Sequence, residues 1–164
     1  MVSDSHRKDG NVQLAIERER PFDMFIHLGD SEGSAYLHSQ WCLEQNKDCE
    51  LYFVRGNCDG FTDLPGDLVV QLGSKKAFLT HGHRYTVSYG LSDLVEKAKA
   101  EHCDIAMYGH THRPTLAEVY GVTTLNPGSI SEPRQKNGYF TYMVITAGDD
   151  GTLDFKHRIL QRDI

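Results

Sequence analysis

The chain is a succession of short apolar runs and longer segments of helical spacing, and the alternation predicts its elements. Residues 23–28 (Asp23-Met24-Phe25-Ile26-His27-Leu28) and 51–54 (Leu51-Tyr52-Phe53-Val54) are too short for packed helices and are bounded by turn residues, so both read as buried strands. Ahead of the first, Val12, Ala15, Ile16 and Glu19 follow helical spacing with one polar exception. Asn11 is the expected cap and Pro21 the stop of a helix over residues 11–20. Residues 34–45 read as a second helix, packed through Tyr36 and Trp41. The opening Met1-Val2-Ser3 is an unusually short strand running into a loop.

The second half changes character. Residues 68–72 and 76–80 flank Gly73-Ser74 at hairpin spacing. Leu91, Leu94, Val95 and Ala98 fall at i, i+3, i+4 and i+7, which predicts an amphipathic helix. Ile105-Ala106-Met107 reads as a buried strand, residues 116–125 as a hairpin around Gly121, and residues 139–146 and 152–159 as two late strands. No repeat, low-complexity tract or linker interrupts the pattern. It predicts an α/β fold of two mixed sheets packed face to face with helices outside, a four-layer α-β-β-α sandwich formed by one domain over residues 1–164. Loops from both sheets meet at one edge, where ligands gather beyond strand C-termini.

Composition narrows the setting. With 39% apolar and 24% charged residues the chain is an ordinary globule, and no apolar run approaches the roughly 20 residues of a membrane span. The N-terminus lacks the apolar core of a signal peptide, so the default location is the cytoplasm, with no membrane partner. Cys42, Cys49, Cys58 and Cys103 have no regular spacing and read as thiols. A formal charge of −6 argues against general nucleic-acid binding, yet an anionic substrate is accommodated if metal ions supply local positive charge. Exposed aromatics such as Trp41, Tyr85 and Tyr89 offer a surface for a homo-oligomer.

Chemistry gathers where strands end. Asp4-x-His6, Gly29-Asp30, Gly56-Asn57-Cys58-Asp59, His81-Gly82-His83 and Gly109-His110-Thr111-His112 each follow an apolar run. Residues at i and i+2 of an extended segment point to one side, about 6.5–7 Å apart. In the last block Gly109 is expected to supply a tight turn and Pro114 to end the segment. Alone, each piece has an ordinary reading as a turn, a cap or a satisfied histidine; their co-occurrence points to metal. Two four-donor sites can be built from Asp4, His6, Asp30, Asn57, His81, His110 and His112 if one residue is shared. A carboxylate can bridge two ions about 3.5–4 Å apart. The assignment is Asp4, His6, Asp30 and His112 to one ion, and Asp30, Asn57, His81 and His110 to the other, with Asp30 as the bridge. Such donors suit Mn²⁺, the favoured ion, or Fe²⁺, Zn²⁺ or Ni²⁺, better than Ca²⁺. The reaction expected is hydrolysis of a small phosphoester by a metal-bridging hydroxide, available because metal binding lowers the pKa of water from about 15.7 towards 7.

In this order, the five blocks resemble the calcineurin-like metallophosphoesterases, most closely the small single-domain phosphodiesterases of bacteria and archaea. The resemblance spans residues 3 to about 129 and implies the α-β-β-α sandwich and the same ligand assignment. It also implies that Asn126-Pro127-Gly128-Ser129 lies near the site, offering backbone donors. Many members carry His where this chain has Cys58, paired with the following Asp (here Asp59), to protonate the leaving group. The candidate catalytic residues are therefore Asn57, Cys58, Asp59 and His83, and the candidate substrate contacts Asn57, His83 and Arg113, the last read either as a surface cation or as one facing substrate. A thiol is a poor substitute for imidazole, which predicts a preference for good leaving groups or help from His83. Two other uses of the fold compete. One is a protein-interaction scaffold of the retromer type, which lacks counterparts of Asp30 and Asn57; the other is a nuclease, disfavoured by the acidic charge.

Overall fold

The two-residue alternation of the apolar strands divides the molecule into layers. In a computed structural model of the chain, which describes residues 1–160, strands β1 (Met24–His27) and β2 (Glu50–Phe53) run parallel with Phe25 opposite Leu51. The last residues of the domain expected over 1–164 lie outside the described residues. Phe25 and Phe53 pack outward against Val12, Ala15, Ile16 and Cys42 of helices α1 (Asp9–Glu19) and α2 (Ala35–Gln45). Ile26, Leu28 and Val54 face the other way and meet a second sheet.

That second sheet has the order β3-β4-β5-β7-β6, built from β3 (Asp67–Leu72), β4 (Lys75–Thr80), β5 (Ile105–Met107), β6 (Pro114–Val119) and β7 (Val122–Pro127). Its centre is parallel and its edges are antiparallel hairpins. Ala77, Leu79, Ile105, Met107 and Leu125 fill the space between the sheets. Phe78, Ala106, Tyr108 and Val122 point outward onto Leu94, Val95 and Ala98 of helix α3 (Ser92–Ala100). Three apolar clusters thus separate four layers, as the pattern predicted.

The short first strand has a specific place. Val2 N–H donates to Ile26 O, Val2 O accepts from Leu28 N–H, and Met143 N–H donates to Met1 O. Residues 1–4 therefore tie β1 to the late hairpin of β8 (Thr141–Ala147) and β9 (Leu153–Ile159). One expectation fails. Helix α1 begins at Asp9, and Asn11 does not cap it. Asn11 is buried, and its Nδ2 donates to Ile130 O at 2.7 Å. A buried amide is costly without a partner, and a distant carbonyl took it. No helix among the described residues is long and apolar enough to cross a membrane.

Candidate metal centre

The parallel strands deliver their C-terminal ends to one edge, and the backbone then reverses sharply. Asp4, His6, Asp30, His110 and His112 all adopt left-handed φ, between 43° and 65°. Such conformations cost on the order of 1–3 kcal/mol each for a non-glycine residue and cluster at functional sites. Here they fold the side chains back over the strand ends. Gly109 is not among the left-handed residues, so the expected turn-making role is replaced by a steric one: a Cβ there would lie 2.0 Å from Ser3 Oγ. Pro114 opens β6, where its missing N–H is harmless, rather than merely ending a loop.

The seven expected ligands come together. Asp4 Oδ1 lies 3.2 Å from His112 Nε2, which is 3.4 Å from His6 Nε2, itself 3.9 Å from Asp30 Oδ2. On the other side of Asp30, Oδ2 is 3.3 Å from His81 Nε2, and Asn57 Oδ1 stands 3.1 Å from His81 Nε2 and 3.0 Å from His110 Nδ1. Donors bound about 2.1 Å from a common ion stand roughly 3.0–3.4 Å apart; five of these six spacings fall in that range, and the 3.9 Å from His6 to Asp30 is the wide one.

Hydrogen bonds at the back of the rings settle what faces inward. His6 Nδ1 is 2.7 Å from Glu32 Oε1, His81 Nδ1 is 2.7 Å from Leu28 O, and His112 Nδ1 is 2.6 Å from Glu132 O. Carbonyl and carboxylate oxygens only accept, so these nitrogens carry the hydrogen and each neutral ring presents an Nε2 lone pair to the cluster. Lone pairs therefore face carboxylate and amide oxygens, an arrangement that repels unless a cation stands between. Asp4 Oδ1 is buried and has no hydrogen-bond partner, and its approach to His112 is attractive only across a proton or a metal. A proton feels the same field. Burial alone would lower the pKa of His81, but Asp30, Asp4 and Leu28 O outweigh it and the net shift is upward. His112 is raised likewise, burial being outweighed by Asp4 and Glu132 O. Burial opposes ionisation of Asp30, yet His81 and the Cys58 N–H hold its carboxyl well below the usual carboxylate range. The donor set fits divalent ions, with Asp4, His6, Asp30, Asn57, His81, His110 and His112 able to hold them.

The remaining expected residues are less uniform. Asp59 is buried, and its carboxylate accepts from the N–H groups of Asp30 (2.7 Å), Gly56 (2.8 Å) and Glu32 (2.6 Å), so its contacts position the ligand loops. Gly56 must stay small because a Cβ would sit 2.0 Å from Asp30 Oδ1. Cys58 is exposed beside Asp30, and burial of the sulfur together with Asp30 pushes its thiol up to about 11. The His83 ring is 5.4 Å from that of His81 and 6.2 Å from that of His110, with Nδ1 unpartnered. Burial and the neighbouring His81 lower its pKa. Arg113 is exposed next to buried His112.

The Asn126–Ser129 turn does reach the site, but as a buttress. Asn126 Nδ2 donates to Gly109 O (2.9 Å) and Ser129 Oγ to Asp4 O (2.8 Å), while Gly128 N–H is spent on Asn126 Oδ1. Sequence reasoning missed Glu32, Glu132 and Arg134, whose Nη1 lies 3.5 Å from His110 O. Only Glu32 left a signal, since it repeats the i, i+2 step after Asp30. Of the three aromatics expected to serve an oligomer, Tyr89 stands free; Trp41 packs on the helical cluster and Tyr85 donates to Asp67. A cavity of about 540 Å³ lies at the opposite end of the sandwich, lined by residues such as Met1, Phe22, Met24, Leu72 and Ile145, and holds none of the seven ligands.

Comparison with known proteins agrees with this geometry. The sequence profile of the calcineurin-like phosphoesterase superfamily domain matches residues 1–150. The probable metallophosphoesterase YsnB of Bacillus subtilis is 32% identical over 153 residues, covering 92% of this chain and 84% of that protein. Phosphodiesterase MJ0936 of Methanocaldococcus jannaschii is 28% identical over 144 residues, covering 78% and 81%. Among solved structures, Entamoeba histolytica Vps29 complexed with zinc superposes with a TM-score of 0.70 at 22% identity, over 91% of this chain and 89% of that one, a likeness of fold.

Proposed function

The chain belongs to the calcineurin-like phosphoesterase superfamily, whose members related to it are metal-dependent phosphoester hydrolases, and from that premise we propose a cytoplasmic phosphodiesterase with a binuclear centre. The observation that carries this reading is the ring of inward lone pairs around the orphaned Asp4 Oδ1. Asp4, His6, Asp30 and His112 would hold one ion and Asp30, Asn57, His81 and His110 the other, with Asp30 shared and Mn²⁺ as the favoured ion. When bound, the ions supply positive charge for phosphoryl oxygens and make hydroxide available near neutral pH. The protein's own residues orient the ester: Asn57 and His83 border the open side, and Asp59 fixes the loops carrying Asp30 and Asn57. Four unpaired cysteines suit a reducing compartment. Because a thiol occupies the place of a proton-donating imidazole, the enzyme favours activated leaving groups.

A scaffold reading competes. Vps29 shares the fold and has been crystallised with zinc, but this chain keeps Asp30 and Asn57, which favours the enzyme. Activity decides. A chromogenic diester such as bis-p-nitrophenyl phosphate should be hydrolysed with Mn²⁺ and not after chelation; Mn²⁺-loaded protein that turns over neither diester nor monoester refutes the enzyme. Cys58→His should speed poorly activated diesters about a hundredfold, the low end of the range for a placed general acid.

A further inference from the structure

The segment after β7 is stitched along the ligand loop by a run of hydrogen bonds. Ser129 and Ser131 hydroxyls both donate to Asp4 O at 2.8 and 2.7 Å. Glu132 O receives the His112 Nδ1–H, and Arg134 N–H donates to His112 O at 3.2 Å. These bonds fix the backbone of Arg134 against the loop carrying two proposed ligands. Its side chain then extends over the same loop, exposed, with Nη1 3.5 Å from His110 O. That single long contact uses one of five guanidinium donors.

Among the described residues no carboxylate lies within ion-pair distance of Arg134, as is also true of Arg113, whereas Arg84 is 2.8 Å from Asp67 and Arg158 is 3.8 Å from Glu19. What distinguishes Arg134 is its place: a guanidinium reaching over the loop that carries His110 and His112, beside a cluster suited to cations, in a chain of net charge −6. Beside bound cations it is repelled, and an anion spanning both relieves the repulsion. A phosphoryl group has the charge for this and oxygens spaced for a planar fork of N–H donors. Arg113, the cation the sequence pointed to, makes no side-chain contact with the ligand loop among the described residues; its N–H alone reaches Thr111 Oγ1 at 3.3 Å.

We propose that Arg134 is the substrate-binding cation of this centre, its guanidinium taking a non-bridging oxygen of the phosphoryl group held at the seven-residue cluster. The proposal rests on the phosphoesterase reading and adds a residue to it. The test uses Mn²⁺-loaded wild type, Arg134→Ala, Arg134→Lys and Lys47→Ala. Inorganic phosphate is the probe, measured by calorimetry and as a competitive inhibitor of diester hydrolysis, with Mn²⁺ affinity followed in parallel. Arg134→Ala should weaken phosphate about ten- to hundredfold, the range for losing a hydrogen bond to a charged group. Its Mn²⁺ affinity should stay at the wild-type value. Arg134→Lys should fall between, keeping charge without the fork, and Lys47→Ala, which removes an exposed cation in the turn before β2, should change phosphate affinity less than about twofold, as a surface cation does. Wild-type phosphate affinity in Arg134→Ala overturns this proposal and leaves the phosphoesterase reading standing. Loss of Mn²⁺ in step with phosphate also overturns it, because Arg134 would then only shape the loop. Wild-type protein that takes up Mn²⁺ and binds no phosphate overturns both.

Discussion

The two halves of the proposed ligand cluster meet at Asp30 but are built differently. In the half formed by Asp4, His6 and His112, two rings are pinned from behind by Glu32 and Glu132 O, and Asp4 is fully buried. In the half formed by Asn57, His81 and His110, only His81 is buried and braced, through Leu28 O; Asn57 is exposed and His110 half-buried. A donor whose rotamer is locked loses less entropy on binding, and a buried one competes less with water. The first half should therefore hold its ion more tightly, and the second should open first to chelator and to substrate.

Replacing the shared residue should erase the difference. Asp30→Asn is expected to lower diester hydrolysis about a thousandfold, the factor for roughly 4 kcal/mol of lost transition-state stabilisation, and to weaken both ions together. Metal counting by elemental analysis after gel filtration checks the second part. Variants confined to one half should separate them. Asn57→Ala should release one ion and keep one, whereas Glu32→Gln, which loosens the brace behind His6, should cost about 10–100-fold in affinity for the first ion, as other outer-shell partners of metal ligands do. If Asn57→Ala emptied both halves equally, the asymmetry would be wrong.

Histidines outside the cluster provide the smallest and most independent contrast. His27 and His38 stack 5.5 Å apart between the first sheet and the helices. Burial keeps the His27 pKa well below its ordinary value, with His38 and His81 adding to it. Burial also lowers His38, although Asp9 at 2.9 Å pulls the other way. Both are lowered in the folded state, so the unfolded chain binds the extra protons. Stability is then fully present above pH about 6.5 and falls as pH drops towards the folded values, by at most about 1.4 kcal/mol per pH unit for each residue. Urea midpoints at pH 7 and pH 5 should differ less in His27→Gln than in wild type.

What could be read in advance follows the same division between local and distant. The layers came from short apolar runs such as Ala77-Phe78-Leu79 set between segments of helical spacing, and the candidate ligands from residues at strand ends, where covalent neighbours fix direction. The braces could not be read that way. Leu28 O and Glu132 O are backbone groups without a residue-type signature. Gly109 is small because Ser3, over a hundred residues earlier, lies against it. Asn11 had a local reading as a cap and a tertiary use on Ile130. Arg113 was adjacent in sequence to the ligands, while Arg134 reached them only through the fold.

Anomalous diffraction from manganese-soaked crystals addresses the shared acidic bridge most directly. Two manganese peaks are expected, each about 2.0–2.2 Å from an oxygen of Asp30, the distance usual for a carboxylate on a divalent transition ion. A cluster that stayed ordered with one peak, or with Asp30 bound to neither ion, would contradict it.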